Sequence, residues 1–181
     1  MNFSETALQD VFLIQPEVFR DSRGTFMEMW SERTFDRAGF RYDFVQDNCS
    51  FSRDKGILRG LHFQRGEYSQ GKLVQCLTGA VLDVAVDLRP YSRTYKQWLS
   101  IELSAENNRQ LLIPRGFAHG FLTLTDHVRF FYKADRYYCP EEEAGIRWDD
   151  PDLNIQWGIQ SPILSDKDRN NPFLRDICTG F

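Results

Sequence analysis

The sequence predicts an all-β fold, a double-sheet jelly roll or barrel with a few short helices. Apolar residues alternate with period two through most of the chain. The alternating runs are short and recur at roughly ten-residue spacing, as in jelly rolls and barrels. Aromatic residues reach 14%, with 15 Phe and 7 Tyr, and flat rings fit pleated surfaces. With 41% hydrophobic and 27% charged residues in 181, the chain can bury a core. It carries no repeat, low-complexity tract or linker, so one domain spanning 1–181 is expected.

Asp10 to Gln15 (DVFLIQ) reads as a first strand closed by Pro16, and Thr25 to Trp30 (TFMEMW) as another after the turn Asp21-Ser22-Arg23-Gly24. A short helix follows. Ser31 caps it, Glu32 suits its first turn, Phe35 and Ala38 share a face, and Gly39 ends it. Further strands are predicted at Phe44–Phe51, Ile57–Phe63, Lys72–Leu77 and Ala80–Leu88, then at Gln97–Leu103, Arg109–Ile113, Gly116–Leu124 and Val128–Ala134. Thr78-Gly79 reads as a tight hairpin. In Val81–Leu88 the wholly apolar set Leu82, Val84, Val86 and Leu88 is assigned to the core, which turns Asp83 and Asp87 outward. Leu99, Ile101 and Leu103 are likewise assigned inward, with Ser100 and Glu102 outward. The segment from Pro140 onward, rich in Asp, Pro and Gly, is expected to wrap outside the barrel.

A net charge of −4 and a pI near 5.4 argue against non-specific nucleic-acid binding. No apolar run approaches the roughly 20 residues that cross a bilayer. MNFSETALQD lacks the basic and apolar regions of a secretory signal. The four cysteines, Cys49, Cys76, Cys139 and Cys178, form no CxxC pair, so reduced, buried thiols in a cytoplasmic protein are expected.

Three histidines can be weighed singly. His62, in GILRGLHFQ, shares a strand face with Gly60 and Gln64, and it is either a satisfied core residue or a base in a cavity. His119 follows the turn Pro114-Arg115-Gly116, and His127 sits in a loop signature that suggests solvent. No two histidines have the close spacing of barrel metal ligands, which leaves only a two-histidine site of His62 and His119 with a carboxylate. Tyr132 shares a face with Phe130 and Ala134, and taken alone it reads as a core tyrosine. Arg59 and Lys72 bracket His62 in sequence. They are surface cations, or they make a pocket suited to phosphate or an enolate oxygen. Asp166 and Asp168 read as solvated charges unless one folds back onto a histidine and fixes its tautomer.

Taken together, DSRGTF (21–26), QDNCS (46–50), GILRGLHFQ (56–64), GKLVQCLTGAVLDVAVDLR (71–89), RQLLIPRGFAHGFL (109–122), YKADRYY (132–138), WDDPDLNIQW (148–157) and LSDKD (164–168) strongly resemble the dTDP-4-dehydrorhamnose 3,5-epimerase family. The resemblance runs in order over nearly the whole chain, and the paired RGLHF and RGFAHGF motifs are its most specific part. It implies a cupin-like barrel, a homodimer with exchanged N-terminal strands, a dTDP-sugar substrate, no metal and no organic cofactor. By motif, His62 is implied as the base, Asp168 as its partner, Tyr132 as the acid and Lys72 as the stabiliser of the enolate oxygen. Arg59 and His119 are implied at the sugar diphosphate, with Gln46 and Asn48 near the nucleotide or sugar. Arg23, Phe26 and Glu28 are implied to reach the nucleotide across the subunit boundary, and Tyr138 to line the nucleotide pocket. Competing readings are a C3-only or C5-only epimerase, a ketoisomerase, a silent nucleotide-sugar-binding module and a metal-dependent oxygenase. The leading reading requires the His62 imidazole and the Tyr132 phenol to share one cavity.

Overall fold

The computed structural model describes all 181 residues. Asn2–Glu5 (β1) and Phe12–Gln15 (β2) pair antiparallel, and Val18–Asp21 (β3) with Gly24–Met27 (β4) forms a separate hairpin. Helix α1 (Glu32–Arg37) follows. The body comprises β5 (Gln46–Ser52), β6 (Leu58–Gln64), β7 (Lys72–Thr78), β8 (Ala80–Asp87), β9 (Trp98–Ser104), β10 (Gln110–Ile113), β11 (Phe117–Thr123) and β12 (Val128–Ala134). The last part adds β13 (Glu143–Gly145) and the one-turn helix α2 (Asp166–Arg169). The expected all-β jelly roll is therefore the fold, and every predicted strand is present within a few residues of its expected ends. The strands β1, β3 and β13 are additions. No helix is long and apolar enough to cross a membrane.

Two antiparallel sheets face each other, one ordered β1-β2-β10-β7-β12-β5 and the other β13-β6-β11-β8-β9. Val74, Leu111 and Phe130 from the first meet Val81, Ala85 and Phe121 from the second in one buried cluster. The Phe121 and Phe130 rings stack 4.2 Å apart across the gap. Each fully buried side chain of this size contributes about 1.5–3 kcal/mol. On the outside of the six-stranded sheet, α1 lays Phe35 over Ile14, Leu73 and Leu112. The Ser31 hydroxyl caps α1 by accepting from the Thr34 N–H at 3.4 Å. Ala38, expected beside Phe35, is exposed, because so short a helix buries only one residue.

The outside of the five-stranded sheet is also covered. Leu153, Ile155 and Trp157 from the C-terminal segment pack on Val84, Val86 and Leu122. Main-chain bonds sew this segment to β6: Leu61 and Ile146 exchange N–H···O bonds at 3.1 and 3.0 Å, and Leu58 N–H donates to Ile163 O at 3.0 Å.

Two-sided cover corrects the reading of β8. Leu82, Val84 and Val86 do face apolar neighbours, but Asp83 and Asp87 are not outside. Both are fully buried on the face shared with Val81 and Ala85, toward the barrel interior. A buried carboxylate needs partners. Asp87 has them in Arg89, Ser92 and Thr94. Burial opposes its ionisation, yet these donors hold its carboxyl below the ordinary range.

Thr78-Gly79 is not a hairpin either. It carries the chain from β7 in one sheet to β8 in the other. Gly79 has φ +77°, and a Cβ there would meet Thr125 Oγ1 at 2.4 Å. All four thiols are free, but only Cys76 is buried; Cys49 and Cys178 are exposed. Cys76 alone points between the sheets.

A β-bulge shapes β6. His62 pairs with His119 and Arg59 with Phe121, so three residue steps on β6 oppose two on β11. Gly60 sits in the bulge with φ +126°, and a Cβ there would lie 2.6 Å from Gly120 Cα. Gly120 is equally confined, with Arg59 O at 2.8 Å from its would-be Cβ. Gly60→Ala is expected to cost at least ~2 kcal/mol of stability, from left-handed strain plus a backbone collision. A urea unfolding midpoint equal to that of the parent chain would contradict this.

Candidate active site

The bulge is what assembles the site. Strict alternation would put Arg59 and His62 on opposite faces of β6, whereas the extra residue turns both toward the barrel interior. Leu61 and Phe63 go into the apolar layer under the C-terminal segment, as expected. The cavity that Arg59 and His62 border has a volume of about 300 Å³.

Asp168 reaches His62 from the chain's far end. Its Oδ1 lies 2.5 Å from His62 Nε2. Ser165 fixes the carboxylate, accepting from the Asp168 N–H at 3.1 Å and donating to Oδ2 at 2.9 Å. One hydroxyl thus caps α2 and orients the dyad. Burial raises the cost of the Asp168 charge, but the His62 and Ser165 bonds outweigh it and hold the carboxyl below its usual range. The contact is made through Nε2 rather than Nδ1. With the carboxylate accepting there, a neutral ring keeps its lone pair on Nδ1, which has no protein partner.

His119 pairs directly beside His62 and forms a second dyad, its Nε2 lying 2.8 Å from Asp83 Oδ1. The other Asp83 oxygen is buried without a partner. Asp83 is a site residue that sequence reasoning sent to the surface. The signal was present, since a strand apolar on one face can still be buried on the other.

Tyr132 and Lys72 come from the opposite sheet. Tyr132 shares the interior face of β12 with Phe130, and Lys72 begins β7 beside it, its Nζ 5.6 Å from the phenol ring centre. Imidazole and phenol therefore border one cavity from its two walls. Burial pushes the Tyr132 phenol up, helped by the Glu143 charge, so it holds its proton at neutral pH. Burial lowers the Lys72 ammonium to about 8, with Asp83 and Glu143 acting the other way. Lys72 is thus charged at neutral pH and close to losing its proton.

Arg59 and Tyr138 also border the cavity. Arg59 donates to Ser52 Oγ at 3.1 Å and to Phe51 O at 3.2 Å, and no carboxylate neutralises it. The Tyr138 hydroxyl donates to Glu143 Oε2 at 2.7 Å, which pushes the phenol up to about 12. Lys167 Nζ sits 2.5 Å from the same Glu143 oxygen. Sequence reading misses both, because Glu143 lies in the segment expected to wrap outside the barrel and Lys167 sits between two aspartates that read as solvated charges. Gln46 and Asn48 lie on β5 next to Tyr132, bonded to each other at 3.0 Å, outside the cavity lining.

Arg23, Phe26 and Glu28 are elsewhere. Arg23 sits on the β3–β4 hairpin and pairs with Asp21 at 2.6 Å, and the Phe26 ring on the same hairpin is 72% exposed. Phe26 and Glu28 border a separate hollow of about 400 Å³ with Trp30 and Phe131. His127 is exposed in its loop, stacked on Phe51. No group of three or more His, Cys, Asp and Glu side chains converges as a metal site.

A family model described as dTDP-4-dehydrorhamnose 3,5-epimerase matches residues 5–176. The chain belongs to the dTDP-4-dehydrorhamnose 3,5-epimerase family. It is 52% identical over 171 residues to the enzyme of that name from Shigella flexneri, covering 94% of each chain. To that of Methanothermobacter thermautotrophicus it is 50% identical over 177 residues, covering 96% of this chain and 95% of the relative. A Bacillus anthracis crystal structure of the family with TDP and pyrophosphate bound has a TM-score of 0.93 at 48% identity, covering 96% of this chain and 99% of that one. A Legionella pneumophila member in complex with dTDP-4-keto-L-rhamnose has a TM-score of 0.93 at 44% identity, covering 98% and 94%. More distant is a 3'-monoepimerase from Streptomyces bikiniensis in complex with dTDP-quinovose, with a TM-score of 0.88 at 33% identity, covering 94% and 86%.

Lys72 carries its charge where burial disfavours it, which makes its effect on stability measurable. Its folded pKa lies below the unfolded value of 10.5. The unfolded state therefore binds more protons between about 8 and 10.5, and stability rises with pH across that window. Lys72→Met is expected to gain on the order of 1–3 kcal/mol at neutral pH and to lose that pH dependence. Urea titrations at neutral and alkaline pH read both effects; a variant less stable at neutral pH would refute the assignment.

Proposed function

We propose that this chain converts dTDP-4-dehydro-6-deoxy-D-glucose to dTDP-4-dehydro-L-rhamnose by inverting C3 and C5 in turn. The observation that carries the reading is the His62–Asp168 dyad on one wall of the cavity and Tyr132 with Lys72 on the other. The C4 ketone acidifies the hydrogens at C3 and C5, because loss of either gives an enolate. Neutral His62 removes the proton through Nδ1, while Asp168 holds Nε2–H and stabilises the imidazolium that forms. The Lys72 ammonium meets the developing oxyanion. Inversion needs the returning proton to arrive from the other face, and Tyr132 supplies it. The substrate ketone provides the acidity, so the mechanism calls on no metal or organic cofactor.

Arg59 and His119 serve the sugar diphosphate and Tyr138 the base, with Gln46 and Asn48 nearby. Arg23, Phe26 and Glu28, remote from the cavity of their own chain, act in that of a partner. We take the active form to be a cytoplasmic homodimer of single jelly-roll domains. Because β1 and β2 pair within the chain, the exposed β3–β4 hairpin is the N-terminal segment best suited to exchange. Relatives near 50% identity carry the 3,5-epimerase name, against 33% for the 3'-monoepimerase, which favours two inversions over one.

His62→Ala and Asp168→Ala should each cut turnover by roughly 10²–10⁴-fold with folding intact. Near-normal rates in a folded His62→Ala enzyme would remove the base. Turnover in deuterium oxide should label both C3 and C5; one labelled position would make it a single-centre epimerase, and none would make it a binding module. Tyr132→Phe should keep solvent exchange while losing inversion. The rate of the parent enzyme should fall above about pH 8 as Lys72 loses its proton. Mixing inactive His62→Ala with inactive Arg23→Ala chains should restore part of the activity, because mixed dimers regain one intact site. Failure to complement under subunit exchange would place Arg23 outside the site.

A further inference from the structure

The five residues after β12 have no ladder to satisfy their backbone, yet they carry Tyr138 to the cavity rim. Asp135 N–H donates to Gly71 O. Beyond it, glutamine side chains take over. Gln70 Nε2 donates to Arg136 O at 2.9 Å, and Tyr138 N–H donates to Gln46 Oε1 at 3.0 Å. Gln64 binds Cys139 in both directions, its Nε2 donating to Cys139 O at 2.6 Å and its Oε1 accepting from Cys139 N–H at 3.1 Å. These three glutamines come from the start of β5, the end of β6 and the loop leading into β7, three separate parts of the barrel. Gln64 is buried, so its primary amide imitates a neighbouring strand where none exists.

We infer that Gln64, with Gln46 and Gln70, is a positioning clasp that holds Tyr138 at the cavity rim and so sets nucleotide affinity rather than the chemical steps. The inference rests on the reading of Tyr138 as the platform for the nucleotide base. Tyr138 is then gripped at both ends, its main-chain N–H by Gln46 and its hydroxyl by Glu143. Without the clasp the ring must be ordered when the nucleotide binds, and that entropy is subtracted from affinity. His62 lies two residues from Gln64 on β6, but Asp168 and Ser165 hold its ring independently.

The experiment compares Gln64→Leu, Tyr138→Ala and the double variant by amide hydrogen exchange, binding of free thymidine diphosphate, and kcat and KM. Gln64→Leu is expected to speed exchange at Tyr138 and Cys139 at least tenfold. It should weaken thymidine diphosphate and raise KM by about tenfold, with kcat within about twofold. In the Tyr138→Ala background the same change should have almost no further effect on binding. Gln64→Glu, which keeps the acceptor and loses the donor, should fall between parent and Gln64→Leu and covers the case in which the leucine variant does not fold. Unchanged exchange at the two amides would overturn the clasp. A fall in kcat at constant KM, or equal losses with and without the Tyr138 ring, would overturn its action through Tyr138. Undiminished nucleotide binding by Tyr138→Ala would instead overturn the platform reading beneath it.

Discussion

A carboxylate at residue 168 can orient an imidazole at residue 62 only if the end of the chain is anchored beside β6, and the arrangement of the whole barrel follows from that. Main-chain bonds at Leu58 and Leu61, and the apolar layer of Leu153, Ile155 and Trp157, provide the anchor. The cover that makes the His62–Asp168 bond possible is also the cover that buries the second face of β8. Core packing and site assembly are thus one constraint. Loosening the C-terminal segment would expose apolar surface and free Asp168 together.

Within the cavity, charge is distributed by wall. The five-stranded sheet brings two histidines, one paired with Asp83 of the same sheet and one with Asp168 from α2, and the six-stranded sheet brings a phenol and an ammonium. Low local polarity works on them in different directions. It keeps the Tyr132 proton in place and weakens the Lys72 hold on its own. One environment therefore prepares an acid and a modest electrophile with no further residues. The expense is a fold that carries an unpaired ammonium in its interior, a usual exchange of stability for function.

Much of this was legible from residue order. Period-two runs gave the strands of both sheets, and Ser31 with Gly39 bracketed the first helix. The motifs around His62, His119, Tyr132 and Asp168 pointed to one site. What escaped was set by pairing rather than by local pattern. Asp83 looked solvent-facing because an apolar opposite face is sufficient evidence for a one-sided strand, and the second cover lies seventy residues or more away in sequence. Thr78-Gly79 has hairpin chemistry but joins two sheets, a choice made by the partners of β7 and β8. The bulge at Gly60 leaves no trace in hydrophobic periodicity, and it decides where Arg59 points. Glu143 lies in a segment that reads as outer wrapping, and Lys167 in a charge run that is ordinarily solvated.

Gly60 and Gly120 carry no functional group, yet between them they set how closely the two histidine-bearing strands approach. Efforts to widen the range of sugars this scaffold accepts would naturally target the groups that touch the ligand. The geometry of those groups is inherited from a pair of bare α-carbons in van der Waals register, and a library that randomised either one would change every distance in the site at once.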